Sequence, residues 1–331
     1  MSENGCIFVW IECQGDRIKP VSLEALSCAL KLSKSSGKEV QAHLFCGQNT
    51  PDLGPLSDFP PHALKTHRHA SWENHNSQSI SSAFIKALSE ASPGLLILPA
   101  SNHGRELGAL LSSHFNAPLA SDCIEAECLG DNDYKVKRPI YSGKAYATLA
   151  LEGPGLKIIS LRANVFRSDQ SFEGEMPESE TLQSDVNADS ISLIVREVSK
   201  ATGKIDLTEA RAVVSGGLGM QGPENFALLE ELAEVLNGAV GASRPVVDNG
   251  WREYSNQVGQ TGRSVSPDLY IACGISGAVQ HIAGMSGSKC VVAINKDPNA
   301  PIFSIAQYGL VGDVLELVPL LTAEFKKILN G

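Results

Sequence analysis

The residues best suited to chemistry lie in the second half of the chain. Gly217, Gly219 and Gly222 match G-x-G-x-x-G, with an apolar strand at Ala212 to Ser215 before them and a helical pattern at Asn225 to Leu236 after them. In that context, glycines let backbone approach a pyrophosphate. The same fingerprint asks for an acid about 20 residues on, to hold a ribose hydroxyl. Here that region ends in Gly241-Ala242-Ser243-Arg244, with no acid. Arg244 suits a 2′-phosphate instead, which makes an NADP-dependent oxidoreductase one reading. Glycines that merely ease helix–sheet packing are the other. Next comes a polar, glycine-flanked loop, Gln257-Val258-Gly259-Gln260-Thr261-Gly262-Arg263, of the kind that faces a ligand or simply turns the chain. The third candidate is Gly274 and Gly277, opening the backbone after the apolar run Leu269 to Cys273, with His281 one turn further on. Free N–H groups at such a helix start can cradle a phosphate. A lone histidine on a helix is more often structural, but its place beside the glycine opening favours a role in the site.

The first half offers less. His62, His67, His69 and His75 share a polar, Pro- and Ser-rich stretch. Their spacing matches no common ligand pattern, so the stretch reads as a solvated loop and no metal is expected. Eight cysteines are scattered without a C-x-x-C pair and read as reduced thiols of a cytoplasmic protein. No Ser/His/Asp set with its own glycine elbow argues for a hydrolase.

These residues must be positioned by an α/β framework. In the N-terminal half, Cys6 to Glu12, Val40 to Phe45 and Leu95 to Leu98 read as strands, while Leu23 to Ser33, Ile80 to Ala91 and Arg105 to Phe115 read as helices. That alternation implies a parallel sheet with helices on its faces. Ile124 to Cys128, Val136 to Tyr141, Ala145 to Leu151 and Lys157 to Leu161 read as an antiparallel extension. Ser168 to Ser192 is polar and acidic, an edge segment and then a linker. The C-terminal half alternates again and closes with an amphipathic helix, Val314 to Leu329. Two domains follow, 1–195 and 196–331. The length of 331 residues suits two.

A net charge of -10 argues against a nucleic-acid surface. No run reaches the roughly 18 apolar residues of a membrane span, and MSENG lacks the basic start of a targeting peptide.

Several blocks together resemble the α-subunit of electron transfer flavoproteins: GASR at 241–244, VGQTG at 258–262, LYIACGISGAVQHIAGM at 269–285, SKCVVAINKD at 288–297, APIF at 300–303 and YGLVGD at 308–313. The first half matches more loosely, through LPASNHGRELG at 98–108, RPIYSGKA at 138–145 and LRANVF at 161–166. The resemblance implies an N-terminal α/β domain and a C-terminal parallel-sheet domain that binds FAD. It also implies a heterodimer with a β-subunit. Such a carrier has no substrate chemistry of its own and passes electrons from dehydrogenases, often acyl-CoA dehydrogenases of fatty acid β-oxidation, to a membrane quinone oxidoreductase.

Carried onto this chain, the resemblance places Ser243 and Arg244 at the isoalloxazine side. Val258, Gly259, Gln260 and Thr261 border the ring edge, and Gly274, Ser276, Gly277, Ala278, Val279, Gln280 and His281 run from the pyrophosphate to the ring. Asn295 and Asp313, with Val314, hold the adenosine end. Arg244, Thr261 and His281 would tune the cofactor, the positive groups favouring its reduced, anionic forms. In two places the chain departs from the family. Leu218 stands where an arginine is usual, and Gln307 replaces a frequent aspartate. A chain that has lost flavin and serves as a regulatory subunit is a third reading, resting on Leu218 alone.

Overall fold

The computed structural model describes residues 5–73, 76–130, 132–166, 172–184 and 205–330. The expected boundary at 195/196, His75 and most of the acidic linker lie outside these residues. The chain divides into two compact units, Met1–Pro139 with Tyr146–Lys200, and Ile140–Ala145 with Ala201–Gly331.

The first unit carries β1 (Ile7–Ile11), β2 (Cys13–Gln14), β3 (Arg17–Ile18), α1 (Pro20–Ser36), β4 (Val40–Cys46), β5 (Ala63–Arg68), α2 (Ser77–Ala91), β6 (Leu95–Pro99), α3 (Asn102–Phe115) and β7 (Leu119–Cys123). It continues with β8 (Glu125–Gly130), β9 (Asp133–Ile140), β10 (Ala145–Leu151), β11 (Lys157–Leu161) and β12 (Ser179–Gln183). Seven strands form a parallel sheet in the order β12-β5-β4-β1-β6-β11-β7. The helices start where local chemistry lets them. Asn76 caps α2 by accepting from the Ser79 N–H at 3.0 Å, and Ser101 caps α3 by accepting from the Gly104 N–H at 3.0 Å.

Two expectations are corrected here. Lys157 to Leu161 does not belong to the antiparallel extension. It is a fully buried strand between β6 and β7, parallel to both. It is buried at every position, Lys157 and Ser160 included, as a strand covered on both faces is, whereas β8 mixes exposed and half-buried residues in the three-stranded sheet β10-β9-β8. The histidine stretch is not a solvated loop either: Ala63 to Arg68 forms β5, and His67 is buried against Phe45 and His43. Stacking on rings supplied by β4 covers a sequence that has no apolar run of its own. The expected edge segment is β12, which pairs in parallel with β5.

The second unit carries β13 (Ala212–Gly216), α4 (Phe226–Val235), β14 (Ala239–Ala242), α5 (Arg244–Asp248), β15 (Leu269–Cys273), α6 (Val279–Met285), β16 (Cys290–Asn295), β17 (Tyr308–Val311) and α7 (Val314–Asn330). Its five strands are all parallel, in the order β14-β13-β15-β16-β17. β13 and β15 are buried or nearly so along their whole length, and Val214, Ile271 and Ile294 pack with Phe226 and Leu229 of α4 and Val318 of α7. Among the described residues, no helix is long and apolar enough to cross a membrane.

Candidate functional site

In an open parallel sheet the backbone leaves every strand at the same edge, so the loops after the strands share one rim. The crevice forms where the strand order reverses. In the second unit the reversal lies between β13 and β15. The loops that leave this rim hold the expected site residues: Ser243 and Arg244 after β14, Gly274 to Ala278 after β15, Asn295 at the end of β16, and Asp313 after β17.

Hydrogen bonds join these loops. The Val258 N–H donates to the Ala242 carbonyl at 2.9 Å, laying the 257–263 loop beside the end of β14. The Gln260 N–H then donates to the Gln280 carbonyl at 2.7 Å, which brings that loop onto the first turn of α6. Asn295 Nδ2 donates to the Ile275 carbonyl at 2.9 Å, and the Gly312 N–H donates to the Asn295 carbonyl at 3.0 Å. Gly277 has φ +87°, and a β-carbon there would stand 2.3 Å from the Ile302 nitrogen, so only glycine lets the loop pass.

Within the rim the side chains differ in freedom. Ser243 is buried, and its N–H donates to the Gly216 carbonyl at 2.9 Å. Arg244 is exposed, with Nε 3.3 Å from Asp248 Oδ2. Gln260 and Thr261 are exposed. Thr261 Oγ1 accepts from Gln257 Nε2 at 3.0 Å, and the Tyr254 hydroxyl donates to the Thr261 carbonyl. Asp313 is tied down: Oδ1 accepts from the Leu315 N–H at 3.0 Å at the start of α7, and Oδ2 lies 2.7 Å from Lys296 Nζ. The Lys296 hydrogen bond, helped by the Leu315 N–H, holds its carboxyl below the usual range.

His281 departs from the expectation of a positive group. It is 6% exposed, and its Nε2 lies 2.9 Å from the Tyr270 hydroxyl. Burial pushes the imidazole down to about 4, partly offset by the Val258 backbone. At neutral pH it is therefore uncharged, because desolvation penalises the cation.

The glycine fingerprint has a different use from the one its pattern suggests. The Gly217 N–H donates to the Cys273 carbonyl at 2.9 Å, and the Gly219 N–H to the Gly274 carbonyl at 3.0 Å. Both donors are engaged within the protein and cannot cradle a pyrophosphate. The packing reading of these glycines holds, and the NADP reading loses its main support. The N–H groups of 276–280 are the reverse case. Among the described residues they have no hydrogen-bond acceptor, and Ser276, Ala278, Val279 and Gln280 are exposed.

These features test the fit of FAD, a cofactor rich in acceptor oxygens. The rim offers a run of unpaired N–H groups and an exposed guanidinium at Arg244. Both are complementary to such a group. Sequence reasoning missed Tyr270, Ser215 and Lys296. Tyr270 was legible in principle: a hydroxyl inside a strand as apolar as LYIAC must find a partner. The family departures are placed as well. Leu218 is 49% exposed in the loop after β13, and Gln307 is structural, its Oε1 accepting from the Val291 N–H at 2.7 Å.

A parallel α/β sheet with an open, donor-lined rim defines a nucleotide-cofactor protein. Residues 206–286 match the electron transfer flavoprotein FAD-binding domain, and residues 7–188 match the electron transfer flavoprotein domain. The chain is 37% identical to the electron transfer flavoprotein subunit alpha of Bacillus subtilis (strain 168), over 97% of this chain and 98% of that one. It is 36% identical to the subunit alpha of Megasphaera elsdenii, over 99% and 98% of the two chains. It is 39% identical to the mitochondrial subunit alpha of Dictyostelium discoideum, over 92% and 87%. The chain belongs to the electron transfer flavoprotein α-subunit family, and it contains the family's FAD-binding domain.

Proposed function

We propose that this chain is the α-subunit of a heterodimeric electron carrier, with no substrate chemistry of its own, and that FAD lies along the carboxyl rim of the second sheet. The observation that carries the reading is the convergence of the 243–244, 257–261 and 274–281 loops through the Val258–Ala242 and Gln260–Gln280 hydrogen bonds. Bound FAD would supply reversible one- and two-electron chemistry. The 276–280 N–H groups would take its diphosphate, as a helix start favours an anion. Ser243, Arg244, Val258, Gly259, Gln260 and Thr261 would border the isoalloxazine. Arg244 supplies positive charge, and the Thr261 hydroxyl keeps its proton free to donate. His281 would donate a hydrogen bond as a neutral ring. Asn295, Asp313 and Val314 would stand at the adenosine end, outside the span that matches the FAD-binding model.

The partner in this reading is an electron transfer flavoprotein β-subunit. Electron donors are dehydrogenases such as acyl-CoA dehydrogenases, and the acceptor is a quinone oxidoreductase of the respiratory chain. The protein is placed in the cytoplasm, with domains 1–195 and 196–331. The deciding experiment is the visible absorption spectrum of the chain co-purified with its β-subunit, before and after stepwise reduction. Bands of bound flavin that bleach reversibly are expected. A colourless complex that also fails to take up added FAD would end the reading in favour of a flavin-free regulatory subunit.

A further inference from the structure

We propose that Tyr270 is a positioning residue for His281: its hydroxyl donates to Nε2, which fixes the imidazole proton on Nδ1, turned toward the Val258 backbone of the loop that borders the proposed flavin site. The inference rests on the FAD reading above and concerns this chain's own hydrogen bonds.

Tyr270 is 0% exposed on β15, and a buried phenol must find an acceptor. Its well-formed partner is His281 Nε2, at 2.9 Å. The other polar atom beside it is Ser215 Oγ on the neighbouring strand β13. That hydroxyl bears on Tyr270, yet it is buried without a well-formed hydrogen bond. Were Nε2 to carry the proton and donate to the phenol, the phenol's own proton would have no well-aligned acceptor. The arrangement that satisfies Tyr270 makes Nε2 an acceptor.

A neutral imidazole has one donor and one acceptor nitrogen, so the proton then sits on Nδ1. Nδ1 is buried with no well-formed hydrogen bond. The nearby Val258 backbone raises the imidazole pKa, as an acceptor facing an N–H would. Val258 belongs to the loop that borders the rim and hydrogen bonds to the end of β14. The Nδ1–H is thus held toward the loop that borders the proposed flavin site, where it steadies Val258. A ring with its proton on Nε2 would instead present a lone pair there and repel a carbonyl oxygen.

The test uses the full-length chain with its β-subunit, stripped of flavin and labelled with ¹⁵N-histidine. Signals of His281 are assigned by their loss in His281→Gln. In the wild type, nitrogen shifts of a protonated Nδ1 and an unprotonated Nε2 are expected. The Nδ1–H form should exceed the other by about tenfold, the equivalent of one buried hydrogen bond. In Tyr270→Phe that preference is lost, and after reloading with FAD the reduction potential of the cofactor falls. A wild-type proton on Nε2 overturns the proposal. So does a Tyr270→Phe protein whose tautomer and potential match the wild type. The wild-type spectrum decides the tautomer even where the variant does not fold. If the complex takes up no FAD, the functional reading falls, and the tautomer measurement alone decides the role of Tyr270.

Discussion

In the first unit the sheet order reverses between β1 and β6, and the residues just past those strands pair in charge, although Glu12 Oε2 has no well-formed hydrogen bond. Glu12, 1% exposed, meets Lys19 Nζ at 3.1 Å and His103 Nδ1 at 3.0 Å through one oxygen. Burial alone would push its carboxyl up, but His103, Lys19 and Ser101 together hold it below the usual range. Further along the same edge, Arg162 grips Asp122 with two hydrogen bonds, at 3.0 and 2.5 Å. In the second unit the equivalent rim keeps the 276–280 N–H groups, the Arg244 guanidinium and His281 Nδ1 without well-formed partners or only loosely paired. Two sheets of the same parallel type therefore differ in what their edges are for. One is closed by internal charge pairing and the other is left open with donors. Function resides in the rim and not in the fold.

The buried histidines repeat the contrast. His43 Nδ1 and His67 Nε2 lie 3.0 Å apart among Phe8, Phe45 and Trp72, a sealed pair whose role is packing. His281 is equally buried but borders the rim. Burial lowers all three: His67 and His281 to about 4, and His43 well below its ordinary value.

The sealed pair carries the largest expected effect. The unfolded chain binds a proton at His67 below the ordinary value of 6.5, while the folded chain does so only near 4. Stability from the neutral ring is thus complete above pH 6.5 and is lost progressively as the pH falls from 6.5 to 4. The loss for His67 alone is about 3 kcal/mol, at 1.36 kcal/mol per unit. Urea unfolding at pH 7 and pH 4.5 measures it. The pH dependence should shrink in a protein carrying both His43→Phe and His67→Phe, and an unchanged dependence would refute the assignment.

Gly277→Ala comes next, because it breaks the open rim itself. The residue would be strained at positive φ and would collide with the Ile302 backbone. A penalty of about 1–3 kcal/mol predicts an FAD dissociation constant about 5- to 150-fold higher. Wild-type affinity in this variant would show that the loop does not hold the cofactor.

Arg244→Ala sharpens the electrostatic side of the contrast. Losing an exposed but charged donor should lower the reduction potential of bound FAD by the equivalent of about 1 kcal/mol. Spectroelectrochemistry reads this directly, and an unmoved potential removes Arg244 from the tuning set. The smallest effect belongs to Leu218→Arg. A half-exposed guanidinium on the rim should tighten FAD binding by about two- to fivefold, as for a surface ion pair. Weaker binding would mean that Leu218 faces away from the cofactor.

Much of this was legible. The reading of Leu269 to Cys273 as an apolar run that opens at Gly274 and Gly277 into a helix start agrees with β15 and α6, because an apolar run bounded by Pro267 and Gly274 has few alternatives. The final helix was also clear from its amphipathic pattern. β5 was not. ALKTHR has the composition of a loop, and its burial comes from aromatic rings on other strands. β11 was recognised as a strand but assigned to the wrong sheet, since strand propensity says nothing about which neighbour a strand will pair with.

The sequence by itself determined the alternation of strands and helices, the glycine openings and the family, because these depend on local backbone preference and on blocks of residues in order. Only the tertiary structure decided how those pieces act. It engaged the Gly217 and Gly219 donors in packing and left those of 276–280 without acceptors. It neutralised His281 by burial and paired its Nε2 with Tyr270. Hydrogen-bond satisfaction and desolvation depend on what surrounds an atom in space, and for these atoms the surroundings come from residues tens of positions away or on other strands.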